Sequence, residues 1–223
     1  MNTQLEIQRN ACDIETGALP LAEIIHLKPQ FAAPGNYKDP VKIAESIAAQ
    51  EAQWLEKAAL SPLTGRVLVI GVKPFGPHSP QFFEGDERAM LAEFWNVVGI
   101  GHDFVEWYGH NLSFFDLPFL IKRSWLHGLP VPLSILFESN GRYFNGRRFK
   151  DTMTTFQCGN RQDFVSLNTV GKFFGLGGKA EENSANFAAL YATDREAALA
   201  HLARDLELTE GIASRMFAIQ EAA

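Results

Sequence analysis

The stretch Arg9-Asn10-Ala11-Cys12-Asp13-Ile14-Glu15-Thr16-Gly17 decides how the rest of the chain is read. Residues 9–14 form a short mixed run that reads as a buried strand ending at an acidic pair. Asp13 and Glu15 lie two apart on extended backbone, so both side chains leave the same face of the strand. Two carboxylates about 5 Å apart repel by roughly 3 kcal/mol at an effective dielectric of about 20. A divalent cation turns that repulsion into binding energy, and hard oxygen ligands suit Mg²⁺ or Mn²⁺ rather than zinc. Taken alone, the pair suits the solvated end of any strand equally well.

Two further acids lie far along the chain. Asp116 sits in the run Gly109-His110-Asn111-Leu112-Ser113-Phe114-Phe115-Asp116-Leu117-Pro118-Phe119-Leu120, and Asp205 lies on a C-terminal helical stretch one turn after His201. Carboxylates from three distant segments are what a fold must gather to hold a pair of divalent metal ions.

The bulk properties are those of a globular chain. Its 223 residues are 46% hydrophobic and 21% charged, which excludes a disordered chain and allows a sizeable core. Cys12 and Cys158 are too few for a disulfide framework or a zinc site and read as free thiols in a reducing compartment. Met1 to Asn10 lacks the apolar core of a signal peptide, and no segment approaches the roughly 20 apolar residues that span a bilayer. The expectation is a soluble, cytoplasmic protein with no membrane partner. A net charge of −6 is a mild argument against nucleic acid. Carboxylates that hold metal add to that total without repelling a phosphate once the metal is bound.

Strands and helices alternate along the chain, which points to an α/β sheet. Leu21 to Pro40 reads as loop, and Val41 to Leu60 as a helix with the stripe Ile43, Ile47, Trp54, Leu55 and Ala58. Strands are expected at Arg66–Val72, Pro80–Glu84 and Phe104–Gly109. Asp86 caps a helix to about Val98 that turns Met90, Leu91, Phe94, Trp95 and Val98 inward. A helix follows over Phe115–His127, with Pro118 tolerated in its first turn. Asn140-Gly141 and Asn145-Gly146 are hairpin signals. Ser166–Phe174 is a short helix ended by Gly175, and Asp194 caps a last helix to about Phe217. No repeat or linker calls for a second domain.

The acidic segments resemble a known family. Asp13-Ile14-Glu15-Thr16-Gly17, then Asn111 through Asp116-Leu117-Pro118-Phe119-Leu120, then a helical Asp205 are similar to the three motifs of DEDD-type 3′-5′ exonucleases. The second resembles the proofreading exonuclease domain of family B DNA polymerases, where an Asn precedes a Phe-Asp pair and a Pro follows. Ser166-Leu167-Asn168-Thr169-Val170 through Gly175-Leu176-Gly177-Gly178-Lys179 is similar to the helix and glycine turn before the third motif in that group. The resemblance runs from about residue 9 to 217 without polymerase-sized flanks, like a stand-alone exonuclease. It implies an α/β, ribonuclease H-like fold: a mixed five-stranded sheet flanked by helices, in one domain over 1–223 with a helical insertion at about 21–63. It also implies two divalent ions, Mg²⁺ or Mn²⁺, held by Asp13, Glu15, Asp116 and Asp205, with Asp13 bridging both. The reaction implied is removal of nucleoside 5′-monophosphates from the 3′ end of DNA, single-stranded by expectation.

One position departs from the family pattern. The third motif normally carries a Tyr four residues before its Asp, or a His five before; here His201 is four before Asp205, and Ala200 five before. On a regular helix His201 lies ~40° around from Asp205, on nearly the same face. His201 is expected to orient or deprotonate the attacking water, since a histidine's ordinary pKa of about 6.5 suits a base at neutral pH. A surface histidine on a solvated face is the plainer alternative.

For holding a strand, Arg142, Arg147 and Arg148 interleave with Tyr143, Phe144 and Phe149, cations for phosphates and rings for bases. An ordinary hairpin accounts for them equally well. Lys179 is a further phosphate contact, Asn111 would position the terminal nucleotide, and of Phe114 and Phe115 one is core and the other, taken as Phe115, a wall against the terminal base. Asp151 reads as a helix cap, Asp86-Glu87 as a solvated helix start, and His102, His110 and His127 as structural. Three other readings stay open: an RNA-trimming exonuclease, a non-catalytic nucleic-acid-binding module of the same fold, and a small-molecule enzyme using a dinucleotide. The last lacks a glycine-rich turn between strand and helix.

Overall fold

The structure, a computed structural model, describes residues 7–99, 104–133, 135–136, 148–160, 162–177 and 187–219. At its centre is β1 (Gln8–Ala18). β2 (Gly65–Pro74) runs antiparallel beside it from Asn10↔Pro74 to Ala18↔Gly65, with a register shift between Glu15 and Thr16. β3 (Gln81–Glu84) extends that side antiparallel. On the other side β4 (Val105–Gly109) pairs parallel with the first part of β1, Gln8↔Val105 to Ala11↔Tyr108, and β5 (Phe149–Asp151) pairs parallel with β4. The result is a mixed five-stranded sheet in the order β3-β2-β1-β4-β5.

The acidic pair therefore does not end a strand, as expected, but lies within one. β2 pairs with β1 through and beyond Glu15, so backbone hydrogen bonding carries the strand past side chains whose polarity reads as a terminus.

Helices cover both faces. On one, Cys12 and Ile14 pack with the residues of α3 (Glu87–Gly99) and α4 (Asp116–Leu126); Met90, Leu91, Phe94, Trp95 and Val98 are all buried there, as expected. Trp95 Nε1 donates to Ser124 Oγ at 2.7 Å, which locks the two helices together. On the other face Ala11 and Val69 meet Leu202 and Leu206 of the long C-terminal helix (Arg195–Met216), which Asp194 caps at Ala197 N. Alternation along β1 thus turns Asp13 and Glu15 to the side of this helix. Gly71, paired with Asp13, makes the close approach possible. A Cβ there would lie 2.9 Å from Leu206 Cδ1 and 3.0 Å from Leu202 Cγ.

The stretch 21–63 holds α1 (Leu21–Ile24), α2 (Pro40–Glu56) and 3₁₀ turns at Ile25–Leu27 and Ala58–Leu60. The expected loop at 21–40 thus contains a helical turn anchored by buried Ile24. The expected helix to Leu60 stops at Glu56. Its stripe Ile43, Ile47, Trp54 and Leu55 is half-buried, and none of its residues is buried fully.

Glu87 is a correction to the solvated helix start. Arg123 donates to it from Nε at 2.9 Å and from Nη2 at 2.6 Å, His127 Nε2 lies 2.8 Å away, and Val67 N donates at 2.8 Å. Burial alone would raise its pKa, but Arg123, His127 and the Val67 amide together hold it below the ordinary carboxylate value. A polar helix start is read as solvated because its cation lies 36 residues away in sequence. Removing one member of a buried pair leaves the other charged and unpaired, so Glu87→Ala should lower the unfolding free energy by about 3–5 kcal/mol in chemical denaturation. A loss below about 1 kcal/mol would mark the pair as solvent-screened.

Candidate active site

The site forms where β4 ends beside β1. Past Ala11↔Tyr108 no β4 residue pairs with β1, and the chain turns through 110–115 into α4. Gly109 permits the tight exit, since a Cβ there would lie 2.9 Å from Leu112 Cβ and 3.0 Å from Cys12 O. The turn delivers Asp116 to Ile14, whose amide donates to Asp116 Oδ1 at 3.1 Å and to Asp13 Oδ1 at 3.0 Å. Two carboxylates thus share one donor.

Their protonation follows from this crowding. Burial and the charges of Asp116 and Asp205 push the Asp13 carboxyl well above its ordinary pKa, and a hydrogen bond to Asp116 adds to that. Burial pushes Asp116 up to about 7, against the Ile14 amide and the hydrogen bond from Asp13. The pair holds protons at pH values where ordinary carboxyls have lost them. Behind them, Cys12 is fully covered, its thiol raised by burial and then by Asp116 and Asp13.

The C-terminal helix supplies the second half. Here β5 is followed by α5 (Thr152–Phe156), α6 (Leu167–Phe173) and α7 (Phe187–Thr193), and the Arg195–Met216 helix is α8. His201 and Asp205 lie one turn apart on α8, both buried, with His201 Nε2 3.6 Å from Asp205 Oδ2. Among the described residues, Glu15, His201 and Asp205 each bring a ligand atom to within 4.8 Å of the others. Carboxylate oxygens and an imidazole nitrogen at this spacing are a donor set for a divalent cation.

The structure therefore brings Asp13, Glu15, Asp116, His201 and Asp205 to one region of the sheet. It does not do the same for every expected strand contact. Arg148 is a correction. Expected at a phosphate, it is buried and donates from Nη2 to Val98 O at 2.6 Å, because the chain entering β5 is held against β4, with Trp107 N donating to Arg148 O, where a hairpin arm was expected. Phe115 packs on the core and against Phe119 at 5.6 Å, while Phe114 is the exposed ring, 62% open. The turn reverses between them, which two adjacent phenylalanines do not reveal in sequence. Asn111 adopts a left-handed φ of 66°, and its backbone oxygen accepts from the amides of Phe114 and Phe115. Arg142, Arg147, Lys179, His102 and both Asn-Gly hairpin signals lie outside the described residues.

Two supporting residues do more than the sequence reading assigned them. Asp151 caps α5 as expected, and it also accepts from the amides of Asn111 and Ser113. His110 is 2.9 Å from Thr152 Oγ1 through Nδ1 and 2.8 Å from Val165 O through Nε2; burial lowers its pKa and keeps it neutral. The pairing Gly109↔Asp151 set by the parallel β4–β5 register is what joins them, and no local pattern encodes it.

No protein-family model matches the chain, and no curated protein matches its sequence. Among solved structures it is similar to the family B DNA polymerase from the hyperthermophilic archaeon Pyrobaculum calidifontis, with a TM-score of 0.59 at 19% identity. The match covers 95% of this chain and 24% of the polymerase, so the chain spans about a quarter of that protein's length. The fold is ribonuclease H-like. Among the described residues no helix is long and apolar enough to cross a membrane.

The raised carboxyls make the metal-free fold sensitive to pH. Unfolded aspartates lose their protons near pH 4, whereas Asp116 in the fold keeps its own to about 7. Between these values the unfolded state binds fewer protons, so stability falls as pH rises and levels off above about 7. Thermal melting in chelator from pH 4 to 8 should show this decline, and Asp116→Asn should flatten it. An unchanged slope in the variant would remove the pair as its cause.

Proposed function

We propose that the protein is a metal-dependent 3′-5′ exonuclease that removes nucleoside 5′-monophosphates from the 3′ end of DNA, single-stranded by preference. The observation that carries this reading is the meeting of Asp13 and Asp116 at one amide, 102 residues apart in sequence for the Ile14–Asp116 bond, with the charge of Asp205 acting on Asp13. Acids from β1, from the start of α4 and from α8 converge beside the central strand of the sheet.

In this reading Asp13, Glu15, Asp116 and Asp205 would hold two divalent ions, Mg²⁺ or Mn²⁺. The donor set fits: hard carboxylate oxygens predominate, Glu15 and Asp205 bring ligand atoms within 4.8 Å of each other, and the His201 nitrogen lies as near, where in this reading it meets a water rather than the ion. When bound, such ions activate a water and stabilise the leaving 3′ oxygen. The residues supply the rest. Asp13 and Asp116 would meet a metal as carboxylates, so binding releases the protons their raised pKa values retain, and His201 accepts a proton from the attacking water. Asn111 positions the terminal nucleotide, and the exposed ring of Phe114 offers a face on which an unpaired base stacks.

Incubation of the protein with 5′-labelled single-stranded DNA, duplex DNA and RNA, each with Mg²⁺, Mn²⁺ or chelator, tests the reading. The expected result is a ladder that shortens from the 3′ end of single-stranded DNA and disappears with chelator. Asp13→Ala and Asp116→Ala should each slow it by about a thousandfold, the equivalent of roughly 4 kcal/mol. Failure to shorten any strand in a metal-dependent way would leave a binding module of this fold, and preference for RNA would identify the trimming enzyme instead. His201→Gln should lower turnover by at least about a hundredfold while metal binding, followed by titration, stays intact. Unchanged turnover across pH 6–8 in that variant would remove His201 as the base.

A further inference from the structure

Asp151 has no surface exposed to solvent, yet its carboxylate accepts four backbone amides. Oδ1 takes Met153 N at 2.9 Å, Thr154 N at 3.1 Å and Asn111 N at 3.2 Å; Oδ2 takes Ser113 N at 2.8 Å. Capping α5 explains two of these bonds. The other two reach across to the turn that precedes Asp116. That turn is closed on itself, with Phe114 N and Phe115 N donating to Asn111 O and Leu117 N to Leu112 O, so the position of Asn111 and Ser113 is tied to that of Asp116. Ser113 is buried, so its amide has no water to replace the carboxylate.

We propose that Asp151 is a positioning residue for the carboxylate of Asp116. By tethering Asn111 and Ser113 to the end of β5, it sets where the turn delivers Asp116 against Ile14, and with it the geometry at which that carboxylate meets a metal ion. This rests on the nuclease reading for the use of Asp116 and goes beyond it in giving a role to an acid that touches neither metal nor substrate.

Asp151→Ser separates the two functions, since a serine oxygen still caps α5 but does not reach the turn. Four quantities are read on wild type and variant: the Mn²⁺ binding isotherm, amide hydrogen exchange over 109–116 and 152–156, the melting temperature, and kcat and KM on a single-stranded oligonucleotide. The expected result is Mn²⁺ affinity lowered at least about tenfold, kcat lowered with KM nearly unchanged, and faster exchange at Asn111 and Ser113 with α5 still protected. Should this variant fail to fold, Asp151→Asn keeps the shape and one acceptor oxygen, turns an NH₂ against the Ser113 amide, and is expected to show the same losses. A lower melting temperature with wild-type Mn²⁺ affinity and kcat would overturn the proposal and leave Asp151 a cap. If wild type binds Mn²⁺ but cleaves no strand, the nuclease reading falls alone, and the isotherms still decide the role of Asp151. A wild type that binds no Mn²⁺ overturns both.

Discussion

Ile14 has one backbone N–H, and past Ala11 no strand pairs with β1 on the β4 side to receive it. A buried amide needs an acceptor, and in this fold the acceptor is a carboxylate from the start of α4, with the carboxylate of Asp13 beside it. This substitution of acid for strand carbonyl is what joins the two halves of the sheet's chemistry. β2 holds β1 straight on one side, the early end of β4 opens a gap on the other, and the turn from β4 into α4 fills that gap with Asp116. The helix α8 then closes over the same place because Gly71 lets it approach.

Two sets of acids in this chain differ in what faces them. Glu87 has Arg123 and His127, Glu210 has Lys73, and Glu84 has Arg195, so the chain supplies their counter-charges. Asp13 and Asp116 form no salt bridge among the described residues; they share the Ile14 amide. Burial of like charges without a cation is unfavourable, and the carboxyls respond by staying protonated. That contrast separates acids matched by a cation of the chain from acids held at one backbone amide.

Much of this was legible in sequence, for reasons that differ by residue. Met90, Leu91, Phe94, Trp95 and Val98 were readable because helical periodicity states which face is inward. Asp86, Asp151 and Asp194 were readable as helix caps because a short oxygen before a helix has a local partner. The mixed five-stranded sheet came through the family resemblance, not through local preference, and its strand order was not read at all. What could not be read was whatever depends on lateral pairing. The length of β1 past Glu15, the inward turn of Arg148, the exchange of roles between Phe114 and Phe115 and the second use of Asp151 are all set by neighbours distant in sequence.

The excursion between β1 and β2 leaves and re-enters the sheet at one rung. Leu19 N donates to Thr64 O at 2.9 Å, Thr16 Oγ1 to Ala59 O at 2.7 Å, and Ala18 pairs with Gly65. Its two ends are thus stapled to each other whatever lies between them. The entropy of closing such a loop grows only with the logarithm of its length, about 0.6 kcal/mol per doubling, and α2 contributes no fully buried residue that the core would miss. Around α2 the segment is, in effect, a graft point: sequence can be lengthened, shortened or exchanged there while buried Ile24 and Ala58 and the bond to Ala59 O keep the ends in place. A lineage could alter what approaches this side of the sheet without disturbing the acids at its centre.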